Sequence, residues 1–123
     1  MNILQINKFF YPRGGVEVVF FETIAGLRAR GHQVAEFSTQ HPKNLPSPYY
    51  EYFASELPEL LGTQSSIKKL QTFLHLLHSS EVENKLTRLI KTEQPQVAHL
   101  HSVYHHLSAS TFTTLRKLKI PTI

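Results

Sequence analysis

From Asn2 to Asn7 the chain opens on a short apolar-rich run, followed by the turn-forming stretch Tyr11-Pro12-Arg13-Gly14-Gly15. Beyond the turn, Val19, Phe20, Ile24 and Leu27 recur at spacings of three and four, which predicts an amphipathic helix from Val16 to near Arg30. Gly31 stands where such a helix is capped. The run Gln33 to Ser38, with Val34, Ala35 and Phe37, predicts a second strand. Strand, helix and strand joined by tight links predict a right-handed parallel crossover, and so an α/β fold.

The pattern breaks between Thr39 and Gln64, where Pro42, Pro46, Pro48 and Pro58 are interleaved with Tyr49, Tyr50, Tyr52 and Phe53. No long regular element survives that density of proline. Helical spacing returns from Ser66 to His78. A further helix is predicted to start at the capping-box pattern Ser80-Glu81-Val82-Glu83, run towards Lys91 and stop before Pro95. Val97 to His101 is a third strand, Ser108 to Lys117 a last helix, and Ile120 to Ile123 the start of another strand. The expectation is one domain over residues 1–123, cut short at its C-terminus as a sheet strand begins.

Composition narrows the class without naming a function. At 123 residues, with 41% hydrophobic and 18% charged positions, the chain is a globular domain and not a disordered tail. It has no cysteine, which excludes disulfides, thiolate metal sites and thiol nucleophiles. The opening residues lack the pattern of a signal peptide, so the reading is cytoplasmic. A net charge of +4 attracts anions mildly, including sugar nucleotides and a negatively charged membrane face, and peripheral contact with the inner membrane face is a further expectation. The Lys and Arg residues are scattered, and the short cluster Arg116-Lys117-Leu118-Lys119 reads as a solvated face with no nucleic-acid partner.

Two places carry candidate chemistry. Arg13, Gly14, Gly15 and Glu17 lie between the first strand and the first helix, where glycines permit close backbone approach and a helix N-terminus offers free N–H groups to phosphate. The dinucleotide fingerprint and the P-loop are both missing, which weakens NAD and ATP readings. Two plainer explanations stay open: the turn needs glycine for a positive φ, and Glu17 simply complements the helix dipole. The second place is His99-Leu100-His101, where strand alternation sends both imidazoles to one face. His101 and the loop Ser102-Val103-Tyr104-His105-His106 then lie beyond a strand's C-terminal end, where ligands of open α/β sheets gather. The histidines follow no zinc spacing, His99 reads as a satisfied interior residue, and no metal or cofactor is expected. The aromatic segment Tyr49 to Phe53 is open to three readings: a lid, a membrane contact, or a loop folded onto its own domain.

Taken in order, Ile3 to Lys8, Tyr11-Pro12-Arg13-Gly14-Gly15-Val16-Glu17, Arg30-Gly31-His32-Gln33-Val34 and His99 to Ser108 resemble the retaining glycosyltransferases of family 4. The resemblance implies a Rossmann-like parallel sheet flanked by helices, the N-terminal half of a GT-B fold, whose other half grips the nucleotide sugar. It implies that Gly14 and Gly15 approach the donor diphosphate with Arg13 and Glu17 beside them. His101, Ser102, Tyr104, His105 and His106 would line the acceptor side. The family's paired glutamates belong to the missing donor-binding half, so no catalytic residue is assigned and the isolated chain is expected to be inactive. The full-length protein would move a sugar from a nucleotide-sugar donor to a glycan, lipid-linked or small-molecule acceptor, without a metal. The alternative is a free-standing interaction module that docks a partner subunit, or forms a homodimer, through its exposed sheet edge.

Overall fold

A computed structural model of the chain describes residues 1–55, 66, 67, 69–71, 79–103, 107 and 109–123. Among them, strand β1 (Asn2–Ile6), helix α1 (Gly15–Ala29), strand β2 (Gln33–Phe37), a 3-10 turn (Tyr50–Tyr52), helix α2 (Ser80–Glu93), strand β3 (Val97–Leu100) and helix α3 (Ser110–Lys117) follow one another. The sheet is parallel with order β2-β1-β3, the α/β arrangement expected of a Rossmann-like half. Register sets Leu4 level with Ala35 and Ala98, and Gln5 level with Glu36 and His99. Because side chains alternate along a strand, each such row belongs to one face.

One face carries the larger apolar core. Leu4, Ile6, Ala35, Phe37 and Ala98 pack against Val82, Leu86, Leu89 and Ile90 of α2 and Leu115 of α3. Fully burying one such side chain stabilises by about 1.5–3 kcal/mol, so this layer dominates the core. On the other face α1 lays Phe20 and Ile24 against Val34, Phe10 and Phe53. That second core is smaller, because Gln5, Glu36 and Asn7 share its side of the sheet and are themselves buried.

Gly31 takes φ +84°, the left-handed conformation that ends α1. The start of α2 differs from its sequence pattern. Its cap is Ser79, whose Oγ accepts from the Val82 amide at 3.3 Å. Glu83, which would close a box on Ser80, holds Lys117 Nζ at 3.2 Å instead, while the Ser79 amide donates to Ser110 Oγ at 2.6 Å. Packing of α2 against α3 thus draws off the Glu83 carboxylate that a box on Ser80 would have used.

The described part of the proline-broken segment, residues 39–55, folds onto its own domain. Phe53 is fully buried, Tyr49 and Tyr52 pack on the core, and a parallel bridge from Thr39 to Ala54 flanks the exit of β2. Phe53, with no exposed surface, is thereby committed to the core. On the opposite edge the Ala98 amide donates to Pro121 O (2.8 Å) and the Leu100 amide to Ile123 O (2.9 Å), so residues 121–123 lie alongside β3 in a parallel bridge. Most of the helix expected over Ser66 to His78 lies outside the described residues, which show only 66, 67 and 69–71 as helical. No described helix is long and apolar enough to cross a membrane.

Candidate functional site

All three strands run the same way, so their C-terminal ends share one edge, and both candidate segments emerge there. A single buried side chain ties them together. Asn7, at the exit of β1 and 0% exposed, donates through Nδ2 to Phe9 O at 2.9 Å and to Glu17 Oε1 at 3.2 Å. Its Oδ1 accepts from the Ser102 amide at 3.1 Å, and the Lys8 amide donates to Ser102 O at 2.7 Å. The strand β1 exit, the first turn of α1 and the loop after β3 are therefore one hydrogen-bonded unit. An isolated asparagine at a strand end gives no such signal in sequence; only its three partners, remote or local, reveal it.

Gly14 is the N-cap of α1 and Gly15 its first residue, both exposed. Gly14 lies at φ −165°, extended backbone open to any residue, and Gly31 is the one glycine with positive φ among the described residues. The turn therefore does not need glycine for its backbone angles. A Cβ on Gly15 would meet nothing within 4 Å, and one on Gly14 would come only to 3.6 Å from Glu17 Oε2. Neither internal packing nor conformation asks for the pair. What the absent side chains do provide is an uncovered helix N-terminus, where first-turn amides have no partner within the helix and no side chain caps them. Such an end attracts anions through its N–H groups and dipole.

Glu17 does not face outward as a mere dipole partner. It is 5% exposed and turned to Asn7, which makes it an anchor beneath the glycines. Arg13 is exposed and lies 4.3 Å over the ring of Phe9.

The imidazoles of His99 on β3 and of His101 just beyond it stand on one face with ring centres 4.1 Å apart, as alternation requires. His99 is half-buried and not interior, because α1 covers β1 and β2 more than β3. His101 Nε2–H donates to Gln5 Oε1 at 2.7 Å, and its ring meets the edge of Phe20 at 5.1 Å. Burial, and then the nearby charge of His99, pushes the His101 imidazole down to about 4. At neutral pH it is uncharged, and the bond to Gln5 leaves the lone pair on Nδ1. Gln5 Nε2 is buried without a hydrogen-bond partner, a strain of about 1–3 kcal/mol of the sort that gathers at functional positions. Tyr104, His105 and His106 lie outside the described residues. Among the described residues no three His, Cys, Asp or Glu side chains come together as a metal-ligand set.

The edge therefore combines an open helix N-terminus, a neutral histidine and a rigid link between them, which is suited to holding a phosphate-bearing ligand beside a hydroxyl-bearing one. No curated protein and no solved structure matches the chain. The family profile of Glycosyltransferase Family 4 matches residues 13–123, from the first turn residue before the glycines to the end, and the chain belongs to that family.

Proposed function

We propose that this domain forms the acceptor-side half of a retaining glycosyltransferase that moves a sugar from a nucleotide donor to a glycan, lipid-linked or small-molecule acceptor. In this reading the N-terminus of α1, left open by Gly14 and Gly15, approaches the donor diphosphate, with Arg13 at its flank. His101 and Ser102, with Tyr104, His105 and His106, line the acceptor. Neutral His101 accepts a hydrogen bond from an acceptor hydroxyl through Nδ1, and Asn7 keeps its loop in register with the glycines. A second half, which supplies the nucleotide grip, completes the cleft.

The observation that carries the reading is the glycine pair: two adjacent exposed glycines at a helix start that neither a positive φ nor an internal contact requires. Glycine is tolerated at an N-cap such as Gly14, and close approach by something outside the domain is a physical reason for the pair beyond that. The test is transfer or hydrolysis of UDP- and GDP-sugars by the product of the complete reading frame. Turnover with one of them is expected, and a folded two-half protein inert towards every donor removes the proposal. The 123-residue chain alone is expected to bind these donors more weakly than micromolar, and sub-micromolar binding by calorimetry contradicts the assignment of the nucleotide grip to another half.

A second reading rests on residues 121–123, which extend the sheet beyond β3 and place backbone groups at its edge. Such edges pair with other chains, so docking of a partner subunit or of a second copy is the alternative. Light scattering on the chain separates a monomer from a self-pairing domain.

A further inference from the structure

Gln5 is a costly residue for the place it occupies. It lies in the middle strand β1, 1% exposed, level with Glu36 on one side and His99 on the other. Its Oε1 accepts from His101 Nε2–H at 2.7 Å, while its Nε2 is shut away from solvent with no partner. A buried amide with one half unsatisfied is worse for stability than an apolar side chain of similar size, because the donor loses its water and gains nothing in return. Core packing therefore does not account for a glutamine at this position, and the physical reason left is what its Oε1 does to His101.

The bond acts on the protons of the ring. A neutral imidazole whose Nε2 is committed as a donor keeps its lone pair on Nδ1. Among the described residues Nδ1 takes no partner, and unlike Gln5 Nε2 it is not closed off from solvent. Turning the ring over to exchange its nitrogens is opposed on every side. The His101 amide is tied to Ile6 O at 2.9 Å, and the ring lies edge-on to Phe20 and tilted over His99. Of the elements packed on it, α1 contributes Phe20 and β1 contributes Gln5, both uncharged, and β3 contributes the titratable His99. Burial and then His99 disfavour a positive charge on the ring.

We propose that Gln5 is a positioning residue that holds His101 in the Nε2–H tautomer, so that this end of the sheet offers a lone pair, takes a hydroxyl and turns an anion away. The inference rests on the glycosyltransferase reading above and adds to it a division of the sheet edge, in which anions go to the amides of α1 and proton donors go to His101. The discrimination follows because a group with no proton to give meets Nδ1 lone pair against lone pair.

The experiment is nitrogen NMR of the histidine rings in the 123-residue chain, as wild type, Gln5→Leu and Gln5→Glu. At neutral pH the wild-type His101 ring is expected to carry its proton on Nε2 alone, as a signal slow to exchange with water. In Gln5→Leu that proton is expected to exchange about tenfold faster or more, with both tautomers populated, in a chain whose amide spectrum remains folded. In Gln5→Glu the carboxylate is expected to raise the midpoint of the His101 titration by about one pH unit or more. Should Gln5→Leu fail to fold, the wild type and Gln5→Glu carry the test. Sulfate, which has charge and no proton to donate, is expected to leave the wild-type His101 ring unmoved at neutral pH, against a chloride control of equal ionic strength. A wild-type proton on Nδ1, an Nε2–H signal indifferent to Gln5→Leu, a midpoint indifferent to Gln5→Glu, or a sulfate shift at His101 each overturns the proposal. None of these readouts needs a sugar donor, so sugar-nucleotide turnover by the complete enzyme tests the underlying reading separately.

Discussion

Replacing Asn7 removes the link between the glycine turn and the loop after β3, and the loss is large enough to measure. In Asn7→Ala the buried Glu17 carboxylate loses its donor at 3.2 Å, and hydrogen bonds to charged groups contribute about 1.5–3 kcal/mol. The Ser102 amide loses its acceptor at 3.1 Å, a further 1–3 kcal/mol or so where the group stays dry. Taking the lower half of each range, the expected destabilisation is about 2.5–4 kcal/mol, a large share of the 5–15 kcal/mol typical of a domain. With an unfolding entropy of about 2.1 cal/mol/K per residue, each kcal/mol moves the midpoint of a 123-residue chain by about 4 °C. Thermal unfolding followed by circular dichroism should therefore show a fall of about 10 °C or more. Asn7→Asp sharpens the test. It keeps the acceptor for Ser102 but sets a second carboxylate against Glu17, so its deficit should shrink as pH is lowered and one carboxyl takes a proton. A midpoint within about 4 °C of wild type for Asn7→Ala, or an Asn7→Asp deficit insensitive to pH, refutes the linking role of this residue.

Two further outcomes follow from the same coordinates. Gly31→Ala places a Cβ at φ +84° and should cost about 1–2 kcal/mol, read as a lower urea midpoint with unchanged slope; a neutral substitution contradicts the cap. His101 has a folded value of about 4 against its ordinary 6.5, so below pH 6.5 the unfolded chain binds a proton that the folded chain refuses. Its contribution is full above pH 6.5 and is lost as pH falls towards 4, so His101→Gln should flatten the stability-against-pH curve in that window; an unchanged slope there contradicts the burial of the ring.

How far the sequence speaks for itself depends on whether a feature is local. The periodicities that set β1, α1 and β2 are local, and the observed boundaries fall within a residue or two of those the pattern predicts. Gly31 was readable for the same reason, since a helix end in the left-handed region favours glycine. Alternation likewise placed His99 and His101 on one face. The misreadings and the questions left open are tertiary. Ser80 fits a capping box, yet Ser79 caps α2, and Lys117 of α3 draws off the Glu83 carboxylate. For Glu17 the sequence leaves a plain dipole role open beside the cleft, and its bond to buried Asn7 turns it inward. For the tyrosine segment the sequence leaves a lid, a membrane contact and a loop folded onto its own domain open, and Phe53, buried between Phe10 and the 3-10 turn, favours the last. Asn7 itself escaped notice because a polar residue after a strand is unremarkable until its partners are known.

The measurement that bears most directly on the glycine pair is a double substitution, Gly14→Ala with Gly15→Ala, in the complete enzyme, read by thermal unfolding and by kcat/KM for sugar transfer. Both positions have helical or extended backbone and room for a methyl group, so the midpoint should stay within about 4 °C of wild type. Two methyl groups over the open end of α1 should lower kcat/KM by about tenfold or more, through lost approach of the phosphate. An intact fold with undiminished kcat/KM would contradict the account, because the glycines would then serve neither the domain nor its ligand.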